Sequence, residues 1–202
     1  SEAVSVTVTG GTPTPSLAVV SAADPVDRVT GRLVHLPDSP FLIGEFDPVG
    51  ELSGFVSGEV VVDNDVNWAA RAEAGGGDFA YLHLGAGLGC AVVADGVVLR
   101  GHGGLAGEIA HVMTRDRRGR AVTFTEFFAA VGLRRADSAA VDVEALIARA
   151  NAGGRAGAAF RASLGAAIAG ALTAVIALAD PGEVVVGGAP VVKAANTLGA
   201  AV

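Results

Sequence analysis

The sequence predicts an α/β fold, and three observations carry that reading. Short β-branched runs alternate with longer Ala-rich segments, and turn residues (Gly, Pro, Asp) separate the two kinds of segment. The composition is that of a packed domain, 51% hydrophobic and 17% charged. At 202 residues the chain is long enough for one sizeable core or for two small lobes sharing a cleft. Ala, Gly and Val dominate and aromatic residues make up only 5%, so the core must rely on small side chains and close backbone approach.

Taken in order, residues 1–58 hold three short β-type runs: VSVTVT at 4–9, SLAVVS at 16–21 and GRLVHL at 31–36. EVVVD at 59–63 reads as a buried strand that runs directly into a helix at 64–74, NDVNWAARAEA, ended by the glycines at 75–77. FAYLHL at 79–84 is a strand, and 85–89 is a glycine loop. Strands at 90–94 and 97–100 follow, joined by Asp95-Gly96, a strong hairpin signal. GEIAH at 107–111 forms a short helical turn. Helices are expected at 125–133, 142–150 and 157–179, and Asp180-Pro181-Gly182 stops the last of them before a strand at 183–186.

Charge and cysteine content narrow the functional classes. A net charge of −7 argues against this chain clamping a nucleic-acid backbone itself. Its local basic cluster, Arg115, Arg117, Arg118 and Arg120, sits with Asp116 and Gly119 outside any helix-turn-helix pattern and reads as a solvated loop. The single cysteine, Cys90, excludes an internal disulfide and a multi-cysteine zinc site, which fits the cytoplasm as the expected compartment. The first residues show no charged segment leading into an apolar one, so no signal peptide is read. Residues 162–179 are uncharged and long enough to span a thin bilayer. Their Ala- and Gly-rich composition gives little insertion energy, so a buried helix of a soluble domain is expected and no membrane partner.

Three features have the residue types that site chemistry needs. Gly85, Gly87 and Gly89 lack the spacing of a dinucleotide fingerprint and open a strand instead of a helix; no Lys-Ser or Lys-Thr makes them a P-loop. A glycine loop between strands lets backbone N–H groups approach a phosphate; equally, it is a tight hairpin needing positive φ angles. Asp63, Asn64, Asp65 and Asn67 crowd the junction of strand and helix. The helix N-terminus favours an ionised Asp65 able to accept a hydroxyl proton, while N-capping explains part of the same cluster. Glu108 and His111, three apart, share one face of a turn and can read adjacent hydroxyls or serve as a structural pair.

VDNDVNWAARAE, LHLGAGLGCAVVADGVVLRGHGGLAGEIAH and VVVGGA, in this order, resemble the ROK family (repressors, open reading frames, kinases), over residues 18–190. ADPVDRVTGRL at 23–33 resembles the segment that precedes the sugar site in that family. The resemblance implies an actin-like, hexokinase-type fold of two α/β lobes. Residues 1–75 would form an incomplete N-terminal lobe and residues 76–202 the C-terminal lobe. It also implies that Asp65 matches the catalytic base, that Asn64, Asp65, Glu108 and His111 match sugar-binding positions, and that Glu126 is a further sugar contact. Gly85, Gly87 and Gly89 match the second phosphate loop, and Gly187 and Gly188 the adenosine-site glycines.

The chain departs from the family pattern in three places. Residues 112–125 contain no cysteine, so no structural zinc, and no other metal site, is expected. Gly10-Gly11-Thr12 only echoes the first phosphate loop, with Val8 where an acid belongs and Pro13 following. The sequence stops soon after Gly188, ahead of the usual terminal helix. With one phosphate loop poorly formed, the expected function is the sugar-sensing effector domain of a ROK-type transcriptional regulator. It would need no cofactor and would meet DNA only through a winged helix-turn-helix absent from this sequence. The alternative is an ATP- and Mg-dependent sugar kinase resembling glucokinase. Either form would be a homodimer or homotetramer by resemblance.

Overall fold

The structure is a computed structural model that describes residues 14–34, 36, 46–73, 77–136 and 138–188. The expected strand at 4–9, the glycines at 10–11 with Thr12, and most of the glycine run at 75–77 lie outside those residues.

Strand β1 (Leu17–Ala22) pairs in parallel with β2 (Glu59–Asn64), in a register running from Leu17 opposite Glu59 to Ala22 opposite Asn64. Among the described residues, 31–34 and 36 do not form the strand expected at 31–36. Gly31 takes a left-handed φ of 70°, and a turn held by the Asp27 carboxylate leaves only a single bridge between Val26 and Leu33. A short helix, α1 (Pro48–Leu52), was not expected. Pro48 stands at its start and the Asp47 side chain accepts from the Gly50 N–H, a start signal too brief to separate from a turn.

β2 passes straight into α2 (Asp65–Ala72). The central sheet has the order β5-β4-β3-β8, built from β3 (Phe79–Leu84), β4 (Leu88–Ala94), β5 (Val97–Val98) and β8 (Glu183–Gly187). β3 pairs antiparallel with β4 and parallel with β8. The hairpin turn at Asp95 and Gly96 has positive φ at both residues, as the sequence predicts.

One face of this sheet packs on α2 through Val66, Ala70, Phe79, Tyr81, Ala91, Val93 and Val98. The other face meets α3 (Phe124–Ala130), α4 (Val143–Ala150) and α5 (Gly154–Ala179). Period-two alternation along β3 produces this division, with Ala80, Leu82 and Leu84 facing the second layer. Phe124, Phe127 and Phe128 are fully buried there, and their rings meet edge to face at centroid distances of 5.4 and 5.5 Å. Each contributes roughly 1.5–3 kcal/mol by burial, which makes α3 the anchor of that core.

α5 is apolar and long enough, by length and composition alone, to cross a membrane. Here one stripe of it, Gly157, Phe160, Leu164, Ala167, Ala171 and Val175, packs into the domain at helical spacing. The opposite face is open, with Leu178 89% exposed, so the helix is half-buried where the sequence predicts a buried one. A second difference lies at the arginine cluster. The stretch forms a hairpin of β6 (Met113–Arg115) and β7 (Ala121–Thr123), with the arginines around an exposed tip. The Asp116 carboxylate closes the tip by accepting from the backbone of Arg118 and Arg120 and pairing with the Arg120 guanidinium at 2.6 Å.

Candidate functional site

The end of β2 and the start of α2 form one wall of a cleft of about 380 Å³. Asn64 caps α2, its side-chain oxygen accepting from the Val66 N–H at 2.9 Å while its amide donates to the Asp24 carbonyl. Asp65 accepts from the same Val66 N–H at 2.8 Å. One residue of the polar cluster therefore caps the helix, and the next is left facing the cleft.

Asp63 does neither. Only 2% exposed, it accepts from Asn64 N–H and from the Asn67 amide, and it pairs with Arg71 at 2.7 Å and Arg100 at 3.4 Å. The two arginine contacts are ion pairs without the alignment of hydrogen bonds. This residue holds β2, α2 and the segment after β5 together, and with them the pose of Asn64 and Asp65.

The facing wall is set by glycines. At Gly107, with φ of 95°, a Cβ would collide with the Cys90 carbonyl, and the Cys90 N–H donates to the Gly107 carbonyl at 2.9 Å. At Gly104 a Cβ would strike the Val26 carbonyl. These approaches clamp the GEIAH segment onto β4 and onto the loop after β1, with Ile109 buried as its plug. A single 3₁₀ turn, Ile109–His111, then places Glu108 and His111 in the cleft opposite Asp65.

The electrostatics follow from this closeness. Burial first, then the charges of Asp24 and Asp65, push the Glu108 carboxyl up to about 7. Asp65 is an exposed residue, yet desolvation of its carboxyl is the leading effect on it. Desolvation holds its carboxyl above the usual value, against the lowering effects of the Val66 N–H and His83. A carboxylate shifted upward in this way is a better acceptor of a hydroxyl proton near neutral pH. Burial also pushes the Cys90 thiol up to about 11, so Cys90 is a packing residue.

Asn64, Asp65, Glu108 and His111 thus meet in one cleft, and Asn67 and Thr125 line it with them. Glu126 is placed elsewhere: its carboxylate accepts from the Thr123 N–H at 2.7 Å in a capping box at the start of α3, and its neighbour Thr125 reaches the cleft instead. Gly87 and Gly89 line the cleft. The reason for glycine at 85 and 89 is close approach, since neither has a left-handed φ and a Cβ at 89 would sit 2.8 Å from Val66. The Gly85 N–H is taken up by the Gly87 carbonyl at 3.0 Å. Gly187 and Gly188 lie at the end of β8, where Cβ atoms would collide with the Tyr81 hydroxyl and the Leu84 carbonyl. No Lys or Arg is among the described residues lining the cleft. His83, another lining residue, was not singled out in the sequence, although it is the one strongly polar side chain in FAYLHL.

An α/β sheet with helices on both faces, a strand-to-helix junction bearing Asn64 and Asp65, and an apposed Glu108 and His111 define a domain of the actin-like ATPase class, the fold shared by ROK sugar kinases. The ROK family profile matches residues 16–202, and the chain belongs to the ROK family. Its 59-residue match to the glucokinase of Halalkalibacterium halodurans is 48% identical and covers 26% of this chain and 18% of that protein. The ROK hexokinase of Thermus thermophilus superposes with a TM-score of 0.62 at 25% identity, over 85% of this chain and 62% of that one. A ROK family transcriptional regulator, a homologue of the E. coli MLC protein, superposes with a TM-score of 0.60 at 19% identity, over 90% of this chain and 52% of that one. The chain therefore spans less than two thirds of the length of these relatives.

Proposed function

We propose that this chain is the sugar-sensing effector domain of a ROK-type transcriptional regulator. The observation that supports it most is the composition of the cleft. Asn64, Asp65, Glu108 and His111 supply donors and acceptors for adjacent hydroxyls of a hexose or amino sugar, while no Lys or Arg among the described residues joins them in the cleft. The sugar would lie between a lobe of residues 1–75 and a lobe of residues 76–202. Its binding would bias the arrangement of those lobes, or of two or four subunits, and so the DNA affinity of a winged helix-turn-helix carried elsewhere.

The position of Asp65 favours a second reading, an ATP-dependent hexose or amino-sugar kinase. Asp65 would take the proton of the attacked hydroxyl, with Asn64, Glu108 and His111 orienting the ring, and ATP with Mg would supply the phosphoryl group. A coupled ADP-release assay across common hexoses, with Asp65→Asn as control, separates the two. The regulator reading expects calorimetric sugar binding that Glu108→Gln weakens, and no turnover above the Asp65→Asn background. Robust Asp65-dependent turnover would sink it.

A further inference from the structure

The arginine tip of the β6–β7 hairpin takes no part in any reading of the cleft. Four of the chain's 14 Lys and Arg residues fall between positions 115 and 120, in a chain of net charge −7. Like charges so close repel, and the one acid among them is occupied with closing the turn. The Asp116 carboxylate accepts from the Arg118 and Arg120 N–H groups and from the Arg120 guanidinium, and the Asp116 carbonyl accepts from the Gly119 N–H. The Arg115 guanidinium donates to the Gly119 carbonyl at 3.1 Å. The backbone of the tip is fixed by these bonds. The side chains of Arg117 and Arg118, both exposed, make no hydrogen bond or ion pair among the described residues.

The tip borders an open hollow of about 540 Å³ at the end of α3, lined by Asp116, Arg117, Arg118, Arg120, Ala130 and Val131. Asp116 is the only acid among the described residues that line it. The Val131 carbonyl is already taken by the Arg149 guanidinium, so Val131 offers the hollow its apolar side chain. Along β6, Thr114 is buried, and alternation puts Arg115 on the outward face with Met113, which is 57% exposed. The surface therefore combines unpaired guanidinium groups with apolar side chains.

Charge separates the possible occupants. A second copy of this chain, meeting the patch across a two-fold axis, would set arginines against arginines. A nucleic acid would carry its phosphates past the patch and over a protein of net negative charge, and would leave the apolar side chains unused. A short acidic stretch of polypeptide meets both demands. Its carboxylates accept two parallel bonds from a guanidinium, and its apolar side chains cover Ala130, Val131 and Met113.

We propose that the hairpin tip is a docking site for an acidic segment of another protein, anchored by Arg117 and Arg118. This goes beyond the reading of the cleft and does not depend on what the cleft binds. The hairpin nevertheless leaves the cleft wall at His111 and returns to it at Thr125, so the dock and the cleft share one continuous segment.

Fluorescence anisotropy on the purified protein, at about 0.15 M salt, tests this with a short labelled peptide of glutamates interspersed with leucines. Its glutamine counterpart and a short DNA duplex are the comparison probes. The acidic peptide should bind and the glutamine peptide should not. Arg117→Glu combined with Arg118→Glu should weaken binding by about tenfold or more with an unchanged melting temperature, since neither side chain holds the fold. Asp116→Ala makes the patch more positive but releases the turn. A preorganised dock should then lose about threefold in affinity, whereas general attraction to positive charge would gain. Equal binding of the two peptides, affinity that survives the double charge reversal, or a gain with Asp116→Ala overturns the proposal, as does no binding of the acidic peptide. Tighter binding of the duplex that the double variant abolishes overturns a protein segment as the occupant. A dimer seen by light scattering that the double variant dissolves overturns the foreign partner. Each of these outcomes leaves sugar binding, read separately by calorimetry, untouched.

Discussion

Replacing Glu108 with glutamine removes a titration that the cleft makes unusual. Its carboxyl rises from 4.5 to about 7 because burial and the charges of Asp24 and Asp65 oppose ionisation. A carboxyl whose folded pKa lies above its unfolded value stabilises the fold fully below about pH 4.5. That contribution is lost as pH rises to about 7, and stability then levels off. The shift corresponds to at most about 3 kcal/mol, and about 1–2 kcal/mol once solvent screening of a half-buried group is allowed. Urea denaturation from pH 5 to pH 8 should therefore show a declining component in the wild type that Glu108→Gln lacks. At pH 8 the variant should be the more stable protein by about 1–2 kcal/mol, while binding sugar more weakly. A variant with an unchanged pH slope, or one less stable at pH 8, would refute the reasoning, because Glu108 would then lie outside the crowded, acid-rich environment assigned to it.

Other outcomes follow from named contacts. Asp63→Ala removes the buried carboxylate that the Asn64 N–H and Asn67 amide donate to and that the partly exposed Arg71 and Arg100 pair with, and should cost about 1–3 kcal/mol in chemical denaturation. Gly107→Ala meets a backbone collision at a left-handed φ and should cost about 1–3 kcal/mol, with a larger proportional loss of sugar affinity because Glu108 is the next residue. Thr114→Val removes the buried hydroxyl that donates to the Ala167 carbonyl at 2.8 Å and should lower stability by about 1–2 kcal/mol, which Thr114→Ser largely restores. EDTA should leave the melting temperature unchanged, since the segment after His111 contains no cysteine and is closed by Asp116 instead.

Where local pattern decided the structure, the sequence was sufficient. FAYLHL is a strand over all six expected residues, because alternation along it serves two cores at once. The Asp95-Gly96 turn, the junction at Asn64 and Asp65, and the stop at Asp180 likewise rest on neighbours in the chain. Other features were misread or too short to read, and some depended on distant partners. Glu126 matches a sugar contact by resemblance, but the four-residue capping box Thr123–Glu126, itself a local signal, claims its carboxylate. The glycines at 85 and 89 suggested positive φ angles, while the actual constraints are the His83 ring and the Val66 side chain. The hairpin around Asp116 has strands of three residues each, too short to show a period.

The buried Asp63 has a consequence for how freely this sequence can drift. Arg71 and Arg100 reach it from a helix and from beyond the hairpin of the other sheet, and neither lines the cleft. Substitutions at those two exterior positions would nonetheless be transmitted to Asn64 and Asp65, which follow Asp63 directly in the chain. Mutational tolerance of Asn64 and Asp65 is thus governed partly from outside the cavity, and cavity-lining positions alone would underestimate how much of the chain holds their pose.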